Sequence, residues 1–428
     1  MSSNFLPVKQ QKVLGKGAKV SKKILKADYI YVDGVYCREY AVVFDRHIIE
    51  VGSVETIKAN YPDWFVEDLG EGSLLFPGFV NTHVHLEFSS HQTTFQYGSF
   101  VGWLESVLMA REEIIQGSTL EVIQGAMDAM LSSGVCAFGA ISSYALELEA
   151  LATTKQKVVF FNELIGSNPQ GIDALYADFV RRIEESSCYP HITPAIAIHA
   201  PYSVHPIAIA KALRLAKEKN LLVSSHLMES RAEKEWLGGS YGEFKPFFEK
   251  YLGVSSSLCS KEEFLSLFKA TPTHFTHATQ IDEEDIDTLK SYHHTIAHCP
   301  RSNRLLGSTP MPLAKIIEKE IPFSTATDGL SSNYSLNILD ELRSALMIHS
   351  DIQLSTLADK LIESITKSAN AILGLNGGVI AKGRDAHFVL LRLPNPPSQS
   401  ALISLWSILH NERASRVYID GEVVFNKI

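Results

Sequence analysis

Residues Pro77–Ser90 read PGFVNTHVHLEFSS. A Pro-Gly turn signal leads into a short apolar run, which ends in two histidines one residue apart, His83 and His85. Residues i and i+2 of a strand point to the same side, so the two imidazoles converge. At the C-terminal end of a barrel strand they would face the mouth, where barrel active sites lie. Two neutral imidazoles so placed suit a divalent metal. The pair also reads as ordinary polar strand-end residues, and on its own the pattern leaves both readings open.

Outward from this stretch the same ending recurs. VCAFGAIS, KVVFFNELIG, PAIAIHAPYS, LLVSSHLMES, THFTHATQ, HTIAHCPRSN and IPFSTATDGLSSN are short apolar runs that end in polar residues, with helical stretches between them. Such alternation marks a parallel sheet covered on both faces. About eight units over residues 79–375 predict an α/β architecture, a (β/α)8 TIM-type barrel, with a doubly wound sheet as the alternative. KVVFFNELIG is taken as the candidate fourth strand. The two ends differ in style. ADYIYVDG and EYAVVFDRHIIEVGS near the start, and AHFVLLRL and SRVYIDGEVVFNKI near the finish, are strands with D-G turn signals. Residues 27–78 and 376–428 are therefore expected to pair into one small β-sandwich domain. Residues 1–26 carry seven scattered lysines and read as a solvated arm.

Composition narrows the function. The chain has 428 residues, 45% hydrophobic and 20% charged, as in an ordinary globular protein. A formal net charge of −9 argues against a general nucleic-acid binder but not against a nucleotide-like small molecule. No apolar run of about 18 residues suggests a membrane span, and no apolar signal segment opens the chain. Five widely spaced cysteines without a CxxC pair fit reduced thiols in a cytoplasmic protein.

The strand ends carry the chemistry. His226 closes one apolar run with Glu229 three residues on, His277 closes the next, and Asp328 follows a later one. Several such residues, each at a different strand's end, are hard to explain as core polar groups. The set HxH, H-x-x-E, a further strand-end His and T-D-G-x-x-S-N resembles the amidohydrolase superfamily, in its cytosine/adenosine deaminase and chlorohydrolase branch. The segments YGSFVGWLESVL, HAPYSVH, CPRSNRLLGS and ATDGLSSNYSLNILDELR are more narrowly similar to the 6-aminodeoxyfutalosine deaminases of the futalosine route to menaquinone. Those enzymes hydrolyse the 6-amino group of an adenine nucleoside bearing a 3-carboxybenzoyl side chain on C5′, releasing ammonia and leaving futalosine.

The resemblance implies one divalent metal, Zn2+ or Fe2+, held by His83, His85, His226 and Asp328. It implies that Glu229 shuttles a proton to the purine ring, that His277 orients the nucleophile, and that Asp328 takes a second proton. Related two-metal hydrolases use a carbamylated lysine on strand four. Here Lys157 sits at the wrong end of its run, so a single metal is expected, with Glu163 as a substrate or supporting group. His199 matches a residue that contacts purine or ribose. Related S-adenosylhomocysteine and methylthioadenosine deaminases carry an acid before the tryptophan of an F-x-E-W-L-like segment. Here Val101 and Gly102 precede Trp103, and Glu87 is the candidate replacement. Arg304, Arg301 and Arg231 are candidates for the substrate's carboxylate, and Trp103 with Phe100 for an aromatic wall. A homodimer is plausible for the group. The alternatives are another adenine nucleoside, guanine or a chlorotriazine as substrate, or a barrel that has lost catalysis and serves as a scaffold.

Overall fold

The computed structural model describes residues 22–427. Most of the expected lysine-rich arm lies outside the described residues, and the first strand already begins at Lys23. The N-terminal strands are β1 (Lys23–Val32), β2 (Val35–Phe44), β3 (Ile48–Ser53), β4 (Val66–Asp68) and β5 (Ser73–Pro77). Next come β6 (Phe79–Val84), β7 (Val135–Ser142), β8 (Lys157–Leu164), β9 (Ile192–Ile198), β10 (Val223–Leu227), β11 (His274–His277), β12 (Thr295–His298) and β13 (Phe323–Thr325). The chain finishes with β14 (Phe388–Arg392), β15 (Arg416–Ile419) and β16 (Glu422–Asn426).

Strands from the two ends form one sheet in the order β16-β15-β14-β5-β1-β2-β3, with β4 beside β1. Alternation along β2 sends Val42 and Phe44 to one face and Ala41 and Val43 to the other, the period-two pattern of a strand covered on both sides. The Tyr418 ring of β15 meets Phe44 of β2 at 6.2 Å although β14, β5 and β1 lie between them in the sheet. The sheet therefore folds over onto itself and shares one core, as expected of a sandwich.

The eight middle strands run in sequence order from β6 to β13, all parallel. β6 and β13 close the circle by a few bonds: Thr82 Oγ1 to Ser324 Oγ at 2.6 Å, and Asn81 to both the backbone and hydroxyl of Thr327. One correction concerns the count. KVVFFNELIG forms β8, the third barrel strand; the fourth is β9, followed at once by His199. Lys157 lies at the far end of β8 from the mouth and pairs with Asp420 of the small sheet at 2.8 Å. Gly78 marks the crossing between the two sheets. A Cβ there would stand 2.7 Å from Cys136 Sγ and 2.9 Å from His387 Cβ, closer than packed atoms tolerate.

The stretch between β6 and β7 runs over the barrel mouth. Helix Phe100–Met109 is pinned there by Trp103, whose Nε1 donates to the carbonyl of Ser331 at 2.8 Å. Among the described residues no helix is long and apolar enough to cross a membrane. All five cysteines are free thiols.

Candidate active site

His83 and His85 occupy the end of β6 and the residue just beyond it. His83 is buried; its Nδ1 meets Thr276 Oγ1 at 3.1 Å, and its Nε2 has no hydrogen-bond partner. A buried nitrogen with nothing to bond to is costly, unless a ligand takes its lone pair. His226, on β10, hydrogen-bonds the carbonyl of His199 through Nδ1 at 2.7 Å. Since a carbonyl only accepts, Nδ1 carries the proton and Nε2 is left as an acceptor, the arrangement a metal-ligating imidazole needs. Nε2 of His226 lies 3.4 Å from Nε2 of His85.

Asp328 follows β13 by three residues, in the left-handed region at φ 58°. Its backbone N–H donates to the carbonyl of His83, so barrel closure and the placing of this carboxylate are one event. Oδ1 lies 3.6 Å from His83 Nε2 and 3.7 Å from His85 Nε2. Oδ2 accepts from the hydroxyls of Ser302 at 2.7 Å and Ser332 at 2.8 Å. Gly329 is required next: a Cβ there would stand 2.9 Å from His85 Cβ.

The ligating atoms of His83, His85 and His226 all lie within 4.8 Å of one another, as do those of Glu229, His277 and Asp328. Burial pushes the imidazole of His85 down to about 3 and that of His277 to about 4, and it pushes His226 well below its ordinary value. These rings are therefore neutral at pH 7, with lone pairs available. Burial alone would raise Asp328, but the neighbouring His83, His277 and His85 hold it well below the usual carboxylate range. The neutral imidazoles of His85 and His226, one ionised carboxylate and the orphaned buried nitrogen of His83 fit a divalent cation.

Glu229 sits beside this set. The helix Arg231–Gly239 contributes Glu233, whose carboxylate accepts the backbone N–H groups of Met228 and Glu229 at 2.8 Å each. The Glu229 carbonyl accepts from Thr279 Oγ1 and Ser308 Oγ. The side chain so fixed places Oε1 3.3 Å from His277 Nε2. Burial, then Asp328 and Glu233, raise its carboxyl well above the ordinary range. His277 is held from the other side, with Nδ1 2.8 Å from Asn303 Oδ1. Its backbone is also left-handed, at φ 75°. A non-glycine residue held in that region stores strain, a recurrent property of functional sites.

The expected substrate-binding residues divide. Glu163, at the end of β8, is buried; one oxygen accepts from Ser143 Oγ and the other has no partner. Its carboxylate, His199 and His226 also have ligating atoms within 4.8 Å, so it lines the same pocket. Burial raises it to about 7. His199 is tied to Ser203 Oγ at 2.6 Å through Nδ1. Glu87 is placed differently from the expectation. Its oxygens accept from Ser142 Oγ and from the backbone N–H groups of Ser143, Tyr144 and Leu146, so it organises the loop after β7. Arg301 is also committed elsewhere, to Glu341 at 2.7 Å and the carbonyl of Ser335. Arg231 pairs with Glu235. Arg304 is exposed. The partners Thr276, Ser302, Asn303 and Ser332 were not singled out by sequence reasoning. Three of them lie in CPRSN and TDGLSSN, and their polar runs directly after a strand were the available signal.

A barrel with a metal-type ligand cluster and a carboxyl–imidazole pair at its mouth defines a hydrolase of the metal-assisted kind. The model of the amidohydrolase family matches residues 74–424, and the chain belongs to that family. It is 43% identical over 402 residues to an aminodeoxyfutalosine deaminase of a Nitratiruptor species, covering 94% of this chain and 98% of the relative. An adenosine deaminase of Helicobacter pylori is 33% identical over 415 residues, covering 94% and 100%. The crystal structure of Helicobacter pylori aminofutalosine deaminase with methylthio-coformycin superposes with a TM-score of 0.89 at 32% identity, covering 94% of this chain and 100% of that one.

Proposed function

We propose that this protein is a metal-dependent deaminase that hydrolyses the C6 amino group of 6-amino-6-deoxyfutalosine, yielding futalosine and ammonia in the futalosine route to menaquinone. The observation that carries the proposal is the carboxyl–imidazole pair Glu229–His277 at 3.3 Å, set against the His83–His85–His226–Asp328 cluster. The likeness over nearly the whole length to an aminodeoxyfutalosine deaminase supports the substrate.

His83, His85, His226 and Asp328 would hold one divalent cation, zinc or iron. Such an ion supplies Lewis acidity that lowers the pKa of a water towards about 7. The remaining steps belong to the chain. His277, its Nδ1 fixed by Asn303, presents Nε2 to the nucleophilic water and orients it. Glu229 Oε1 accepts that water's proton and delivers it to N1 of the ring as the water oxygen attacks C6. Asp328 receives the second proton, which leaves on the amine as ammonia. Water and the amine thus become the C6 carbonyl and ammonia with no proton unaccounted for. His199 and the unpartnered oxygen of Glu163 line the wall against which purine and ribose would rest.

A second reading, plain adenosine as substrate, is favoured by the Helicobacter pylori relative that carries that activity in its name. Incubation with 6-aminodeoxyfutalosine, adenosine, methylthioadenosine and guanine, following ammonia, separates the two. Turnover confined to the first supports the proposal; comparable turnover of all the adenine nucleosides sinks it. A cytoplasmic setting, which the free thiols fit, and a homodimeric state belong to the same proposal.

A further inference from the structure

The proposed nucleoside ends in an aryl carboxylate, and the side chains placed above in the metal pocket are imidazoles and carboxyls, with no arginine or lysine among them. The pocket wall leads outward through a short series of contacts. Glu163 accepts from the hydroxyl of Ser143, and the next residue is Tyr144. The backbone N–H of Tyr144 donates to Glu87 Oε1 at 2.8 Å, which holds the loop after β7 at the barrel mouth. The Tyr144 ring is half-buried, and the guanidinium of Arg111 lies over it, 5.2 Å from its centroid. Arg111 opens the helix Arg111–Gly117, which Ser90 Oγ anchors through the carbonyl of Ile114 at 3.0 Å. Arg111 therefore hangs from the segment that follows the metal-type histidines.

Among the described residues, no carboxylate engages Arg111. The other arginines near the mouth differ. Arg301 is spent on Glu341, Arg182 on Asp178 and two carbonyls, and Arg231 on Glu235. Arg111 and Arg304 are both exposed, but Arg304 has no aromatic ring beneath it among the described residues. An arginine laid on a tyrosine face is already ordered, so less freedom is lost when it pairs with an anion.

We propose that Arg111 and Tyr144 form the subsite for the 3-carboxybenzoyl group: the tyrosine ring packs against the aryl ring, and the guanidinium pairs with the carboxylate. This rests on the nucleoside reading above. It places substrate selection on the loops after the first two barrel strands, away from the metal.

The test compares 6-aminodeoxyfutalosine with the methyl ester of its carboxylate, in the wild type and in Arg111→Met, Arg111→Lys and Arg304→Met. The wild type is expected to prefer the acid. Arg111→Met should lower kcat/KM for the acid by about 10- to 100-fold, mainly through KM, as loss of a charge-assisted pair would. It should affect the ester far less, so the preference disappears. Arg111→Lys should restore part of it. The proposal is overturned if Arg111→Met keeps the preference, or loses acid and ester alike, as a merely structural role would require. Loss of the preference in Arg304→Met, with Arg111→Met retaining it, also overturns it. A wild type that deaminates neither compound removes the nucleoside reading itself and this subsite with it.

Discussion

Glu229→Gln separates proton transfer from metal binding. The substitution keeps the shape of the side chain and removes its ability to accept a proton. In the structure Glu229 Oε1 is 3.3 Å from His277 Nε2, and its backbone is fixed by Glu233, Thr279 and Ser308. None of those anchors uses the carboxyl group, so the loop should hold. General acid–base transfers are worth roughly 10²–10⁴-fold, or about 3–5 kcal/mol of barrier. Turnover of 6-aminodeoxyfutalosine should fall by that factor, while metal per chain, measured by elemental analysis, stays at the wild-type value. The ligating atoms of Glu229, His277 and Asp328 also lie within 4.8 Å of one another, so a different ligand assignment is geometrically open. Loss of metal in Glu229→Gln would show that Glu229 is a ligand and refute the division of roles. Turnover within a few-fold of wild type would refute the shuttle.

Four further outcomes follow from particular contacts. Asn303→Ala removes the group that fixes Nδ1 of His277; kcat should fall about 10- to 100-fold with metal retained, as for other lost outer-shell partners. Gly329→Ala puts a methyl group 2.9 Å from His85 Cβ and should lower metal per chain, read by the same elemental analysis. Arg301→Met strands Glu341 without its cation in a fully buried position; breaking such a pair costs about 3–5 kcal/mol, measurable by denaturant unfolding. Glu147 is raised well above its ordinary value of 4.5, first by burial and then by the charge of Glu87. The folded protein keeps a proton that the unfolded chain gives up. That contribution to stability is complete below about 4.5 and is lost as pH climbs towards the higher folded value. Glu147→Gln should therefore flatten the fall in Tm between pH 5 and pH 9; an equal fall in both proteins would contradict the assignment.

Much of the site was legible because a strand of period two brings its polar ending to one rim. His83, His85, His226, His277 and Asp328 each close or follow an apolar run, and the barrel gathers them. The hydrogen bonds that set their tautomers were not legible. Thr276 on His83 and Asn303 on His277 are contacts between strands and loops far apart in sequence, and no spacing encodes them. Glu87 shows a second limit. Its position two residues after His85 does not say whether its oxygens face a substrate or the N–H groups of a neighbouring loop, and the loop claims them. Residues 85–134 hold a long helical excursion over the mouth where a shorter crossover is usual.

The substrate panel with the metal-loaded wild type tests the central claim most directly, with kcat/KM measured for 6-aminodeoxyfutalosine, adenosine and methylthioadenosine under one set of conditions. The account predicts release of one ammonia per futalosine formed and a clear preference for 6-aminodeoxyfutalosine, abolished when metal is removed and recovered when zinc or iron is returned. Equal turnover of the three nucleosides, or undiminished turnover without metal, would contradict it.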